Sequence, residues 1–240
     1  MTTTDESLKA ILSRAPVTTA DDAAAILGAI VETLPAGDGV WCFSRLYQAV
    51  TDAIRGSLAA TTFHDPRWLD RLDAAFANLY FEALRLFLDG SPDTPRAWYP
   101  LFASRSLPRA ALQFALAGMN AHINRDLPVA LVTVCTESGV ELARTVPEYQ
   151  DYLAVNPLLA AVEARIKVEF LTGPFVVEDR LLGKLNDVVA NFSIVEARGG
   201  AWSHGEGLWA LRNDARLSAT LVDTLDGLVG FASRGLLVAL

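Results

Sequence analysis

Apolar residues recur every three or four positions along most of this chain, the spacing of helices with one buried face. Thr19-Ala20-Asp21-Asp22 has a capping-box-like form, and Ala23 to Leu34 follows with helical spacing until Pro35-Ala36-Gly37-Asp38-Gly39 stops it. A second helix is expected from about Val40 to Ile54. Asp65-Pro66 is a cap followed by a first-turn proline. The helix it opens carries Leu69, Leu72, Phe76, Leu79, Tyr80, Ala83 and Phe87 on one stripe, and Asp89-Gly90-Ser91-Pro92 ends it. Ser106 and Pro108 start the next helix. Pro147 begins a short one, and Asn156-Pro157 opens another that leads to Leu171, with Gly173-Pro174 beyond. Phe175-Val176-Val177 reads as an extended piece, Asp179 starts a helix towards Arg198, and Asn213 caps the last one, through Leu240.

Val129 to Val134 is rich in β-branched residues, yet a lone strand would have no partner, so it reads as helix continuing past Pro128. The expectation is one all-α domain over residues 1–240, a bundle of about eight helices, with residues 1–18 as a loosely ordered lead-in. Glu137 to Pro147 is the best boundary candidate, but no composition shift supports a split there.

Composition narrows the function classes. The chain has 240 residues, 52% of them hydrophobic and 20% charged, so it can bury a sizeable core. Net charge is −8 and no Lys/Arg cluster stands out, which argues against nucleic acid or an anionic membrane surface as partner. No apolar run approaches the roughly 18 residues of a membrane span, and the N-terminus lacks the basic and apolar regions of a secretory signal. A soluble, cytoplasmic protein is expected, with self-association left open. The two cysteines, Cys42 and Cys135, sit among apolar residues and form no Cys-x-x-Cys pair; they read as buried free thiols.

The candidate chemistry concentrates in Gly118-Met119-Asn120-Ala121-His122-Ile123-Asn124-Arg125-Asp126-Leu127-Pro128. On a wheel of about 100° per residue, Leu116, Met119, Ile123, Leu127, Ala130 and Leu131 form one apolar stripe. His122 and Asp126 share one edge of it, Asn120 and Asn124 the other, and Arg125 points away. That suits a pocket with an apolar floor and polar walls. A carboxylate four residues from an imidazole can hold the ring in one tautomer and raise its basicity, as a general base needs. The same spacing fits a purely structural pair, or two metal ligands. Pro128 removes the usual partner of the Asn124 carbonyl and predicts a local kink.

Other candidates weigh less. A metal would recruit His64 beside His122 and Asp126; capping is the plainer role of Asp65, and a surface or packing position that of His64. Arg198 could anchor a carboxylate or phosphate, or form a surface or interhelix salt bridge. Asp151 and Asn156 read as caps. Trp98, Tyr80, Trp68, Trp202 and Phe76 read as core, although aromatic walls also suit a hydrophobic ligand. His204 lies in Gly199-Gly200-Ala201-Trp202-Ser203-His204-Gly205-Glu206-Gly207, which is no dinucleotide loop and reads as mobile. Nucleophile-elbow, P-loop, His-Glu-x-x-His, EF-hand and Asp-Asp-x-x-Asp motifs are absent.

Several segments together resemble a bacterial family of uncharacterised helical proteins, the domain of unknown function 5995. They are Asp38-Gly39-Val40 with Phe43, Leu46-Tyr47 and Val50-Thr51; Phe63-His64-Asp65-Pro66 with Leu72-Asp73, Phe76-Ala77 and Tyr80-Phe81; Pro95 and Ala97-Trp98; the Asn120 to Pro128 stretch, which is the most specific; Asp151-Tyr152 and Val155-Asn156; and Ala197-Arg198 with Ala201-Trp202. The resemblance spans about residues 35 to 211. It implies a single-domain, largely helical fold with His122 and Asp126 in the family signature, and no particular reaction. The glycines at 199, 200, 205 and 207 depart from the regular helix of the family's last motif.

The leading functional expectation is a small-molecule enzyme of acid–base type (a lyase, isomerase or cyclase in biosynthesis). His122 and Asp126 would be catalytic, with Asn120, Asn124, Arg198, Trp98 and Tyr80 holding a mostly apolar substrate and no cofactor required. One alternative is a hydrolase with a divalent metal on His64, His122 and Asp126. The other is a non-enzymatic carrier of a hydrophobic ligand.

Overall fold

In a computed structural model, residues 2–58, 63–172 and 193–238 are described. Eleven α-helices lie among them, with no strand. They are α1 (Thr3–Leu12), α2 (Ala20–Thr33), α3 (Gly39–Leu58), α4 (Pro66–Leu88), α5 (Tyr99–Ser104), α6 (Ala111–Ala121), α7 (Leu127–Ser138), α8 (Pro147–Ala154), α9 (Asn156–Thr172), α10 (Ile194–Ala210) and α11 (Ala215–Leu236). A π turn, His122–Asp126, joins α6 to α7. The all-α expectation is met, and the β-branched run after Pro128 is helical. The extended piece expected at Phe175-Val176-Val177, and the helix start at Asp179, lie outside the described residues.

Capping side chains set several helix starts. Asp65 Oδ1 accepts from Trp68 N (3.0 Å) with Pro66 in the first turn. Thr19 Oγ1 accepts from Asp22 N (3.1 Å). The last helix is capped by Asp214, one residue beyond the expected Asn213: its Oδ1 accepts from Arg216 N and Leu217 N. Ser106 and Pro108 do not open α6, which starts at Ala111.

The lead-in is also more ordered than its polarity suggests. Thr2 and Asp5 form a reciprocal capping box on α1, and Leu8 and Leu12 are buried in the common core. Two apolar residues one turn apart suffice to dock a helix that few other apolar positions announce.

The rod α6–π–α7 runs through the centre. Helices α3 and α11 pack on α6, α4 and α10 on α7, and α4, α10 and α11 all reach the π turn. Close approach of α3 depends on Gly118: a Cβ there would fall 2.2 Å from Cδ2 of the fully buried Phe43. The Phe43 side chain fills the space where any side chain at 118 would stand, and this brings α3 against the His122 turn.

The glycine-rich stretch read as mobile is helical, within α10. Gly205 explains part of it, since an added Cβ would meet Leu142 Cδ2 at 3.0 Å. Gly199 and Gly200 are exposed, and an added Cβ meets nothing within 4 Å. Alanine at both positions should therefore raise the unfolding free energy by about 1–2 kcal/mol through helix propensity alone. Chemical denaturation measures it; an unchanged midpoint would show that these glycines serve another purpose.

Candidate functional site

The π turn is a consequence of Pro128. Proline has no N–H for the Asn124 carbonyl and its ring crowds that oxygen. The helix widens by one residue instead, so that Leu127 N donates to His122 O, five residues back. Across this turn Asp126 lies beside His122, which precedes it by four residues. Both are buried, and Asp126 Oδ2 lies 3.1 Å from His122 Nδ1.

Asp126 is the hub of this network. Its Oδ2 also accepts from Trp98 Nε1 (2.8 Å), and its Oδ1 accepts from Arg125 Nη1 (2.8 Å). A carboxylate facing three donors can only accept, so Nδ1 of His122 carries the proton and Nε2 presents a lone pair. Arg125 does not point away, as a uniform wheel predicts. Its side chain is 17% exposed and stands between Asp126 and Asp226 of α11, 3.5 Å from the latter. Asp226 in turn accepts from the backbone N–H groups of Arg96 (2.8 Å) and Ala97 (3.1 Å), so the ion pair is tied to the chain just before Trp98.

Aromatic rings enclose the imidazole. Phe76 stacks on it with ring centroids 3.4 Å apart and planes 6° from parallel, and Tyr47 meets it edge-on at 4.5 Å. Phe43 packs at 5.6 Å. Burial lowers the His122 pKa below its usual value, and the Asp126 hydrogen bond and charge offset this only in part. The ring is neutral at neutral pH.

His122 lines a cavity of about 70 Å³ between α3, α4, α9, α10 and the π turn. That is room for several waters or a small organic group. Its walls are mostly aliphatic and aromatic, among them Phe43, Val50, Leu72, Phe76, Met119 and Leu159. Four polar side chains interrupt them: His122, Tyr47, Asp73 and Arg198. His122 Nε2, Tyr47 Oη and Asp73 Oδ2 are buried with no hydrogen-bond partner among the described residues. Buried polar atoms are nearly always paired, so three orphans around one cavity is a marked departure.

Their electrostatics divide the cavity into two poles. Burial raises Asp73 to about 7, with Asp70 adding to it and the Arg198 charge opposing it. Arg198 is buried and fixed, donating from Nε to Asn156 Oδ1 (2.9 Å) and from Nη2 to the Tyr152 carbonyl (2.7 Å), above whose ring it lies. Tyr47 is raised well above its usual value by burial first, then by the charges of Asp73 and Asp126. The phenol thus stands between the His122/Asp126 pole and the Asp73/Arg198 pole.

The expected site residues are placed as follows. His122 and Arg198 line the cavity; Asp126 and Trp98 stand behind His122. Tyr80 packs in the same aromatic group, with its hydroxyl bonded to Ser44 Oγ at 2.8 Å. Asn120 and Asn124 are not cavity walls. Asn120 Nδ2 donates to Val229 O (3.1 Å) and Ser233 Oγ (3.0 Å) of α11, and Asn124 Nδ2 donates to Asn120 Oδ1 (3.0 Å). This rail docks a helix.

His64 does not join His122. Its side chain is 62% exposed, and its Nδ1 lies 3.0 Å from Asp151 Oδ1. Asp151 caps across helices, accepting also from the N–H groups of His64 and Asp65. Among the described residues no three His, Cys, Asp or Glu side chains are grouped to share a metal ion, so the triad His64, His122 and Asp126 is not assembled. His204 is exposed on α10. Burial lifts the thiols of Cys42 to about 12 and Cys135 to about 11, which suits inert core cysteines. No helix among the described residues is long and apolar enough to cross a membrane.

Tyr47 and Asp73 are the site residues that sequence reasoning missed, while Phe76, read as core or aromatic wall, lines the cavity. Asp73 had a usable signal: it falls four residues after Leu69 and three before Phe76, on the apolar stripe of α4. Compared with known proteins, residues 20–239 match the model of one family, described as a family of unknown function. No curated protein and no solved structure matches.

Proposed function

The chain belongs to DUF5995, a family of unknown function, and we propose that it is a small-molecule enzyme that transfers a proton inside an apolar cavity. His122 is the base and Asp126 the residue that orients it. The supporting observation is the neutral imidazole of His122, a cavity-lining side chain whose buried Nε2 has no hydrogen-bond partner among the described residues. Leaving a buried acceptor unpaired costs about 1–3 kcal/mol, which a ligand proton would offset. Asp126 stabilises the imidazolium formed on protonation, and Arg125 balances its charge in the resting site. Isomerisation, elimination and cyclisation can each proceed through such a base and fit the apolar walls.

The pH profile follows from both poles. Turnover needs neutral His122 and so persists below pH 6.5, the usual imidazole value, before falling in acid. We assign the Asp73 carboxyl, across the cavity from His122, the part of proton donor, so turnover also declines as pH passes about 7. His122→Ala should abolish turnover while the cooperative melt survives; full turnover in that variant would sink the role.

A second reading, a carrier of a hydrophobic ligand, draws support from the predominance of apolar side chains in the cavity wall. On that reading His122→Ala lowers thermal stability, and ligand affinity falls with it.

A further inference from the structure

We propose that the molecule taken by this cavity is a small, largely apolar carbonyl compound, its oxygen held by Tyr47 and Asp73 and its neighbouring C–H bond facing His122 Nε2. This rests on the proton-transfer reading of the site and names its substrate class.

The assignment follows from what each polar atom can offer. At one pole stand the Asp73 carboxyl, which burial keeps largely protonated up to about pH 7, and the Arg198 cation, and the Tyr47 phenol adds a second hydroxyl-type donor between that pole and His122. At the other pole stands one lone pair, on His122 Nε2, backed by Asp126. A ligand that satisfies all of them needs an acceptor oxygen and, beside it, a hydrogen that can leave as a proton. A carbonyl group with an adjacent C–H bond has both. An amine or ammonium would place donors or positive charge against Arg198. A phosphate would find a single guanidinium already committed to Asn156 and Tyr152, with Asp73 alongside. The remaining walls offer aliphatic and aromatic contact only, which suits a hydrocarbon body.

The step balances without a co-reactant. The C–H bond breaks and its proton forms an N–H bond at Nε2. The electron pair makes a carbon–carbon double bond, and the carbonyl π pair moves to oxygen, which takes the Asp73 proton while Tyr47 donates a hydrogen bond. The products are an enol, imidazolium His122 and carboxylate Asp73. Return of the proton from His122 to the same or a conjugated carbon, with the enol proton going back to Asp73, restores the site. The oxygen-side donors act where negative charge develops, in a water-poor cavity, where such stabilisation is largest.

The test is deuterium wash-in. The intact protein is incubated in D2O with cyclohexanone and, separately, with acetophenone, and loss of the α-hydrogen signals is followed by proton NMR. The ring nitrogens of 15N-labelled His122 report occupancy in parallel. Wild type should exchange at least one of these ketones about a hundredfold faster than His122→Gln, and Tyr47→Phe should fall between them. A shifted His122 resonance without wash-in would overturn the carbonyl assignment and leave the proton-transfer site standing. Neither a shift nor wash-in would overturn the carbonyl assignment as well. Equal wash-in by wild type and His122→Gln would overturn both.

Discussion

Asp73→Asn should make this protein more stable near neutral and alkaline pH, by about 2–4 kcal/mol. The folded protein holds the Asp73 proton until about pH 7, whereas an exposed Asp loses it near 3.8. Between those values the folded state binds more protons than the unfolded one, so stability falls as pH rises. Below about pH 4 both states are protonated and nothing is lost; above about pH 7 the whole cost of burying the ionised group is present. The full shift corresponds to about 4 kcal/mol at about 1.4 kcal/mol per pKa unit. Asparagine removes the charge at nearly the same volume. Its amide is itself short of partners in the cavity wall, which sets the lower end of the range. Urea melts of both proteins between about pH 4 and pH 8 measure the effect. The two curves should nearly meet in acid and diverge with rising pH; a constant difference would show that Asp73 is not ionised at the cost of the fold. Under the proposed chemistry the same substitution removes the acid, so stability rises as turnover falls, the trade expected of a functional residue rather than a structural one.

The helices were largely legible because burial on one face leaves a three-to-four periodicity and because caps leave local residue signatures. Asp65-Pro66 and Pro147 mark starts that the structure keeps. The site was legible as a segment but not as a geometry. The His122/Asp126 contact needs only a helix and a spacing of four. What fell outside the sequence reading depended on the third dimension. A wheel of constant angle treats Asn120 and Asn124 as a second wall, but nothing in a wheel says which neighbour arrives at each edge, and here it is α11. Arg125 points away on the wheel, and its partner Asp226, remote in sequence, reaches it only through the packing of α11 on the π turn. Tyr47 and Phe76 look like ordinary core residues from periodicity alone; they become site residues because the cavity opens between α3 and α4. Asp73 was the missed opportunity, since a carboxylate on an apolar stripe needs an explanation.

Asp126→Leu should cost about 3–5 kcal/mol of stability, the range for removing one partner from a buried ion pair. Three donors lose their acceptor at once: Trp98 Nε1, His122 Nδ1 and Arg125 Nη1. Asp226 limits the damage to Arg125, since it stands 3.5 Å from Nε on the α11 side. Asp126→Asn separates charge from shape. Its amide carries one acceptor oxygen where two are used. The oxygen should stay towards Trp98 and His122, where two donors need it, and the NH2 group then faces Arg125, which moves onto Asp226. The fold should lose about 1–3 kcal/mol, and His122 should keep its proton on Nδ1. Without the anion, however, the imidazolium loses the charge that now supports it, and its pKa should fall further below the usual value. Nitrogen NMR of the ring, titrated with acid, reads both tautomer and pKa. An unchanged titration in Asp126→Asn would remove Asp126 from any role in supporting the base. A Leu variant that melts within about 1 kcal/mol of wild type would remove it as the hub of the buried network. If both expectations hold, one carboxylate carries two separable jobs: its hydrogen bonds keep the π turn closed around Trp98, and its charge makes the His122 lone pair a usable base.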